Sequence, residues 1–345
     1  MKKLRIAVLV HESLIPPDTV EGSSDEEIAE FKCEFDVVAT LREMGHDVQT
    51  IGLLDDLTPL RNTIQEWKPD IAFVLLEEFH GVSTYDQAIV AYLELMKQPY
   101  TGCNPRGMVL SRDKALAKKI LTHSRIPTPS FVDFPRGHAI KRPKRLNFPL
   151  FVKSAIEDAS HGISLASIVR NDNELAERVR FVHDKVGSDA IVEEFIDGRE
   201  LYVGILGNDR LKTFPIWEMI FDKLPEGTAR IATRKVKWDE KYQKKFGITT
   251  QVAENLPSPL EEKIYRICKR VFRSLNMSGF ARIDLRLAED ERVYVLEANA
   301  NPNLAYGEDF AESAEHAGIS YEELLSRIIK LGLNYQYHWR SAESS

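Results

Sequence analysis

Along the first third of the chain, short apolar runs alternate with longer stretches whose apolar residues recur every three or four positions. Arg5–Val10 reads as a strand, Asp25–Met44 as a helical stretch, and Asp47–Ile51 as a second strand ending at Gly52. A helix-like piece precedes Pro69, Ile71–Leu76 is a third apolar strand, and Tyr85–Met96 returns to helical spacing. Strands that alternate with helices predict a parallel, helix-covered sheet. Beyond it the order changes. Lys114–His123 reads as a helix stopped by Pro127 and Pro129, Phe148–Ser154 as a strand, Glu174–Val186 as a helix and Ala190–Phe195 as a strand. A strand-rich region follows (Leu201–Leu206, Thr213–Met219 and Arg230–Lys237), then a helix over Leu260–Leu275. Two strands, Ala281–Leu287 and Val293–Asn299, and a helical tail, Tyr321–Leu331, complete the pattern. The fold class is α/β at the N-terminus with mixed α+β architecture behind it.

At 345 residues the chain is long enough for two or three domains. Its 43% hydrophobic and 29% charged residues are the balance of a soluble globular protein. A net charge of −7 gives no electrostatic case for nucleic acid. The one basic cluster, Lys141 to Arg145, lies between turn residues and reads as a solvated loop. Cys33, Cys103 and Cys268 are far apart and form no CxxC, which argues against a disulfide framework and a structural zinc site. The apolar run after Met1-Lys2-Lys3 contains Arg5, runs into His11-Glu12 and lacks a cleavage site, so it reads as a buried strand. No run approaches a membrane span. A cytoplasmic protein with no nucleic-acid or membrane partner is expected.

Candidate chemistry gathers in the last two strands. The polar break Ala288-Glu289-Asp290-Glu291-Arg292 makes them an antiparallel hairpin. A turn centred between Asp290 and Glu291 sets Asp284 opposite Glu297 and Arg282 opposite Asn299, all four on one face. Opposed residues have Cβ atoms about 5 Å apart, where like charges destabilise, so the carboxylates ask for a cation. Two carboxylates and a carboxamide suit Mg²⁺, with Mn²⁺ as an alternative. The competing reading is a solvent-facing strand pair. The apolar flanks Gly279-Phe280-Ala281 and Val293-Tyr294-Val295-Leu296 argue against it.

Neither a GxGxxG fingerprint nor a Gly-Lys P-loop is present, so phosphates need partners from elsewhere. Lys153 ends an apolar strand, and the small polar loop Asp158-Ala159-Ser160-His161-Gly162 after it can fold amides over a phosphate. A hairpin turn with an exposed lysine is the bland alternative.

At this point the chain resembles the ATP-grasp ligases, and within them the D-alanine–D-alanine ligase family, from Arg5 to Leu333. Phe79-His80-Gly81, Pro99-Tyr100-Thr101-Gly102, Leu110-Ser111-Arg112-Asp113-Lys114, Val152-Lys153, Glu193-Glu194-Phe195-Ile196, Gly198-Arg199-Glu200, Gly279 to Asp284 and Leu296-Glu297-Ala298-Asn299 fall in that family's order. The resemblance implies an ATP-grasp fold: a Rossmann-like N-terminal domain (1–102), a central subdomain (103–192) and a C-terminal subdomain with the Mg²⁺ site (193–345). It implies ATP phosphates on Lys114, Lys153 and Ser160, adenine held by Glu193 and Ile196, and ribose on Glu200. Lys237 matches the mobile-loop lysine that reaches the γ-phosphate, and Arg282 the arginine that steadies the transferred phosphoryl. Asp284, Glu297 and Asn299 match the metal ligands. The implied reaction activates a carboxylate as an acyl phosphate and joins it to an amine. The alternative is a phosphotransferase or nucleotide-binding regulator on the same fold. The partners are small-molecule carboxylates and amines, and the expected assembly is a homodimer.

The resemblance thins where substrates bind. The family's glycine- and serine-rich first loop is replaced by His11 to Pro17 with an insertion to Ser24. Glu27 stands for the amine-binding glutamate, and His80 and Asn303 are further substrate candidates. The serine that receives the acceptor's carboxylate falls on Glu308, which makes D-Ala–D-Ala synthesis doubtful.

Overall fold

The computed structural model describes residues 2–22, 24–157 and 162–337. Three sheets form along the chain. The first is parallel, ordered β2-β1-β3, from β1 (Arg5–His11), β2 (Asp47–Leu53) and β3 (Ile71–Val74). Ile6 to Val10 are all buried, as expected of a strand covered on both faces. Helix α1 (Asp25–Glu43) links β1 to β2, and the short α2 (Thr58–Asn62) precedes β3. After β3 come α3 (Asp86–Leu95), α4 (Pro105–Arg112) and α5 (Lys114–His123).

A four-stranded antiparallel sheet, β4-β7-β5-β6, comprises β4 (Phe131–Phe134), β5 (Leu150–Ser154), β6 (Ile168–Val169) and β7 (Ala190–Glu194), with α6 (Asp172–Phe181) between β6 and β7. The third sheet is a six-stranded antiparallel one. It holds β8 (Arg199–Leu206), β9 (Lys212–Thr213), β10 (Trp217–Phe221), β11 (Ile248–Val252), β12 (Phe280–Leu287) and β13 (Val293–Ala300), in the order β11-β10-β8-β12-β13 with β9 on β8. Helices α7 (Arg234–Trp238) and α8 (Glu240–Phe246) precede β11, and α9 (Ser258–Ser274) follows it. In α9 the buried positions Leu260, Ile264, Ile267, Cys268, Val271 and Phe272 make one apolar stripe that packs on β8, β12 and β13. Helix α10 (Asp309–His316) packs on β8, and α11 (Tyr321–Leu333) returns to the first sheet, where Leu324, Leu325, Ile328 and Ile329 share a core with Ile6, Val8 and Phe73.

Two expectations change. Arg230–Lys237 is not a strand. Its alternating pattern yields to an N-cap, because Thr233 accepts a hydrogen bond from Val236 N (3.3 Å) and starts α7. Thr213–Met219 splits into β9 and β10. Helix α4 carried start signals that the periodicity hid: Pro105 in the first turn, and Asn104 accepting from Gly107 N at 2.9 Å.

The first and third sheets meet at close backbone range. Gly279 has φ +71°, and a Cβ there would lie 2.3 Å from the Gly102 carbonyl oxygen, so only glycine fits. The chain's end seals this junction. The Tyr337 hydroxyl accepts from Tyr100 N (2.9 Å), and donates toward the carbonyls of Gly332 (2.9 Å) and Tyr100 (3.2 Å). Tyr337→Phe strands the buried Tyr100 amide. The expected cost is about 1–3 kcal/mol, read as a lower urea midpoint at unchanged m-value.

Candidate active site

The β12–β13 hairpin gives the expected alignment at the site by a different turn. Leu287 pairs with Val293 and Leu285 with Val295, which centres the turn on Asp290. An extra residue, Leu296, then bulges between the ladders and restores Asp284 opposite Glu297 and Arg282 opposite Asn299. Arg282 grips Asp284 through two bonds (2.8 and 3.0 Å), lies 3.7 Å from Asp309 and stacks over Tyr202. Burial pushes the Asp284 carboxyl upward, with Glu297 adding to the shift and Arg282 opposing it.

Glu297 collects cations. Lys114 Nζ is 3.8 Å and Lys153 Nζ 3.9 Å from Glu297 Oε2. Burial alone would raise its carboxyl, but Lys114, Lys153, Lys237 and Arg282 outweigh that and hold it at about 2. Lys153 also reaches Glu193 Oε1 (3.1 Å), while Lys118 takes Glu193 Oε2 at 3.2 Å. Lys118 was not singled out in the sequence. It lies one turn after Lys114, donates to Thr128 Oγ1 (2.8 Å), and burial draws its ammonium down to about 8 against the pull of Glu193.

Ile196, Phe195, Phe151 and Leu296 form apolar walls beside these charges, and Ile231, Ala232 and Lys237 close the cleft from the α7 side. Glu200 also lines it, held by Arg286 Nη2 (2.7 Å) and the Tyr202 hydroxyl (3.0 Å). Lys114, Lys153, Glu193, Ile196, Glu200, Lys237, Arg282, Asp284 and Glu297 are thus brought to one region. Asn299 contributes a buried Nδ2 without a hydrogen-bond partner. Among the described residues no three His, Cys, Asp or Glu side chains gather as metal ligands. What the hairpin offers a cation is two carboxylates and this carboxamide.

The substrate candidates divide. Glu308 is the N-cap residue of α10 without a capping bond. Burial and Asp309 raise its carboxyl, while Arg282, Lys32 and Lys237 oppose, so it senses the same cations as Glu297. Asn303 is used locally, accepting from Ala305 N at 2.8 Å. His80 is exposed with φ +57°, and its amide bonds the Leu54 carbonyl. Glu27 closes a capping box with Ser24 and is exposed. Ser160, with Asp158, Ala159 and His161, lies outside the described residues.

A second acidic group was not anticipated. Glu34 on α1 is 7% exposed and pushed up to about 7, first by burial and then by Glu77 beyond β3. Its helix is fastened to the loop before Glu308: Lys32 donates to the Tyr306 carbonyl, and Asp36 accepts from Tyr306 N at 2.9 Å. The signal in the sequence was a polar residue, Glu34, three positions before the apolar pair Val37-Val38 on the buried face.

Two antiparallel sheets closing on a cleft of lysines and carboxylates, behind a parallel α/β sheet, define the ATP-grasp fold. The model of the D-ala D-ala ligase C-terminus matches residues 120–330. A D-alanine–D-alanine ligase of Coprothermobacter proteolyticus is 32% identical over 322 residues, spanning 90% of this chain and 96% of that protein. The uncharacterized protein y4sG of Sinorhizobium fredii is 32% identical over 305 residues, 85% of each chain. The crystal structure of the Bacillus anthracis D-alanine–D-alanine ligase complexed with ATP matches at TM-score 0.73 and 25% identity, covering 99% of both chains. The chain belongs to the D-alanine–D-alanine ligase family, whose members are ATP-dependent carboxylate–amine ligases. No helix among the described residues is long and apolar enough to cross a membrane.

Glu34 sets a pH dependence. Its folded-state pKa of about 7 lies above the ordinary 4.5, so the folded chain binds the proton more tightly. Its contribution is most favourable below pH 4.5 and falls as pH rises toward 7, by at most about 3 kcal/mol. Glu34→Gln is expected to flatten that part of the stability–pH curve and raise the melting temperature at pH 8. Parallel curves for the two proteins in calorimetry would exclude this assignment.

Proposed function

We propose that the chain joins a small carboxylic acid to an amine at the expense of ATP and Mg²⁺, with an acceptor that presents no free carboxylate at Glu308. One observation carries the reading. Lys114 and Lys153 converge on Glu297 beside the Arg282–Asp284 pair, at the end of an apolar cleft. The residues fit the groups they would hold. The apolar walls suit an adenine ring, and the partnerless Asn299 Nδ2 suits an incoming phosphate oxygen. Asp284, Glu297 and Asn299 would hold Mg²⁺, which would supply positive charge to offset that of the phosphates.

On this reading Lys114 and Lys153 turn from Glu297 and Glu193 toward the phosphates, and Lys118 keeps Glu193 paired. The carboxylate substrate attacks the γ-phosphorus and ADP leaves. The amine then attacks the acyl carbon, the C–N bond forms, and phosphate departs with the electrons of the C–O bond. Arg282, fixed by Asp284, lies where negative charge grows. The cleft leaves about 80 Å³, room for a few waters, and on this reading the segment of Ile231, Ala232 and Lys237 lifts to admit the nucleotide. Its return keeps water from the acyl phosphate.

Two outcomes test the proposal. Lys153→Met is expected to weaken ATP binding on the order of tenfold to a hundredfold, the loss of one charge-assisted contact. Asp284→Asn is expected to abolish Mg²⁺-dependent turnover; unchanged ATP affinity in the first variant, or near-normal turnover in the second, sinks the site assignment. Two carboxylates about 4 Å apart repel by near 4 kcal/mol at an effective dielectric of about 20, roughly a thousandfold in affinity. At millimolar D-alanine, mass spectrometry is therefore expected to find little or no D-Ala–D-Ala. A screen of carboxylic acids against amines, followed by ADP release and product mass, identifies the true pair.

A further inference from the structure

Arg282, Asp284 and Arg286 alternate along β12 and so share one face, paired with Gly204, Tyr202 and Glu200 of β8. Two residues of strand span roughly 7 Å, which sets Arg286 that far beyond Asp284 on the side away from Arg282. Glu200 and Arg286 line the same cleft as Lys153, Lys237 and the apolar walls. With phosphates at Asp284, this is the level at which a nucleotide carries its sugar.

Arg286 is 4% exposed and joins two parts of that cleft. Its Nη2 donates to Glu200 Oε2 at 2.7 Å, and its Nη1 to the Gly198 carbonyl at 3.1 Å and the Arg230 carbonyl at 2.9 Å. The Tyr202 hydroxyl donates to Glu200 Oε1 at 3.0 Å. A carboxylate offers about four lone-pair sites, so among the described residues one stays open on each oxygen. Two such acceptors side by side suit a pair of neighbouring hydroxyls, and they repel phosphate. Arg230 in turn leads into Ile231, Ala232 and Lys237, which close the cleft from the other side. Ile231 is itself buried, and Arg234 N donates to the Ile163 carbonyl at 3.4 Å. A buried ion pair adds little stability beyond an apolar pair of similar volume. This one also leaves the guanidinium's own Nε buried without a hydrogen-bond partner among the described residues. What the pair supplies is position.

We propose that Arg286 is a positioning residue that couples the nucleotide's sugar to closure of the cleft. Glu200, oriented by Arg286 and Tyr202, accepts from the two sugar hydroxyls. The same guanidinium holds the Arg230 carbonyl, so the segment 231–237 settles only when Glu200 is in place. Arg286 touches no reacting atom; it passes the presence of the sugar to the segment that carries Lys237. The proposal rests on the ligase reading above and adds to it the link between nucleotide and lid.

The test is hydrogen exchange, read by mass spectrometry on the full chain with Mg²⁺ and a saturating non-hydrolysable ATP analogue or its 2′,3′-dideoxy form. In the native chain the ribose form is expected to slow exchange across 231–237 about tenfold more than the dideoxy form, the worth of one charge-assisted hydrogen bond. Arg286→Met keeps a long apolar side chain and is expected to bring both forms to the same protection. Glu200→Ala, which removes both acceptor oxygens, is expected to do the same and decides the matter if Arg286→Met does not fold. Equal protection by the two forms in the native chain overturns the proposal, and so does a difference that survives either substitution. An analogue that does not bind the native chain overturns the nucleotide reading and this proposal together. Hydroxyl-dependent protection without amide product in the substrate screen strikes the ligase chemistry alone and leaves the role of Arg286 standing.

Discussion

Moving an ammonium from water into a protein interior costs several kcal/mol unless charge and hydrogen bonds compensate. Lys114, Lys118 and Lys153 are each at least nine-tenths buried, and among the described residues Glu193 and Glu297 pair with them. Among these five groups the cations outnumber the carboxylates, in a region of low dielectric. That excess is tolerable because Lys114 donates to the Glu157 carbonyl and Lys118 to Thr128. It is also what a polyphosphate seeks. Four elements supply the five groups: α5, β5, β7 and β13. Shifting any one of them leaves a buried charge without its partner, so the sheets are bound to each other through the site.

Lys118 plays a different part from its neighbours. Lys114 and Lys153 approach Glu297 at distances that are long for a direct bond, and Lys153 lines the cleft. Lys118 is pinned by Thr128 and the Val295 carbonyl on the far side of Glu193. Glu193 is thereby shared, with Lys118 on one carboxylate oxygen at 3.2 Å and Lys153 on the other at 3.1 Å.

The fold was legible wherever hydrophobic period and breakers agreed, as in β1, α5, α9 and the β12–β13 pair. The Asp284–Glu297 alignment was legible because alternation along a strand carries over a hairpin, yet the bulge at Leu296 had no signal of its own. Helix α7 was not legible: Ile231, Thr233 and Val236 mimic strand alternation, and Thr233 decides the matter by capping. Lys118 left a trace, since two lysines one turn apart beside Leu121 place like charges on a buried face. Glu34 and Glu77 are far apart in sequence, and only the packing of α1 on the first sheet lets one feel the other. No local pattern announces such a pair.

Charge divides the cleft along its length. Among the described residues, Lys114, Lys118 and Lys153 gather around Glu193 and Glu297, while Glu308 and Asp309 are felt at Arg282. Arg282 stands at the boundary, gripped by Asp284 and faced by Asp309. Arg286 couples this division to closure of the cleft, because one guanidinium donates to Glu200 and to the Arg230 carbonyl (2.9 Å) at the base of the segment carrying Lys237. Arg286 thus ties Glu200 to the start of the segment that carries Lys237, so a shift at either end is felt at the other.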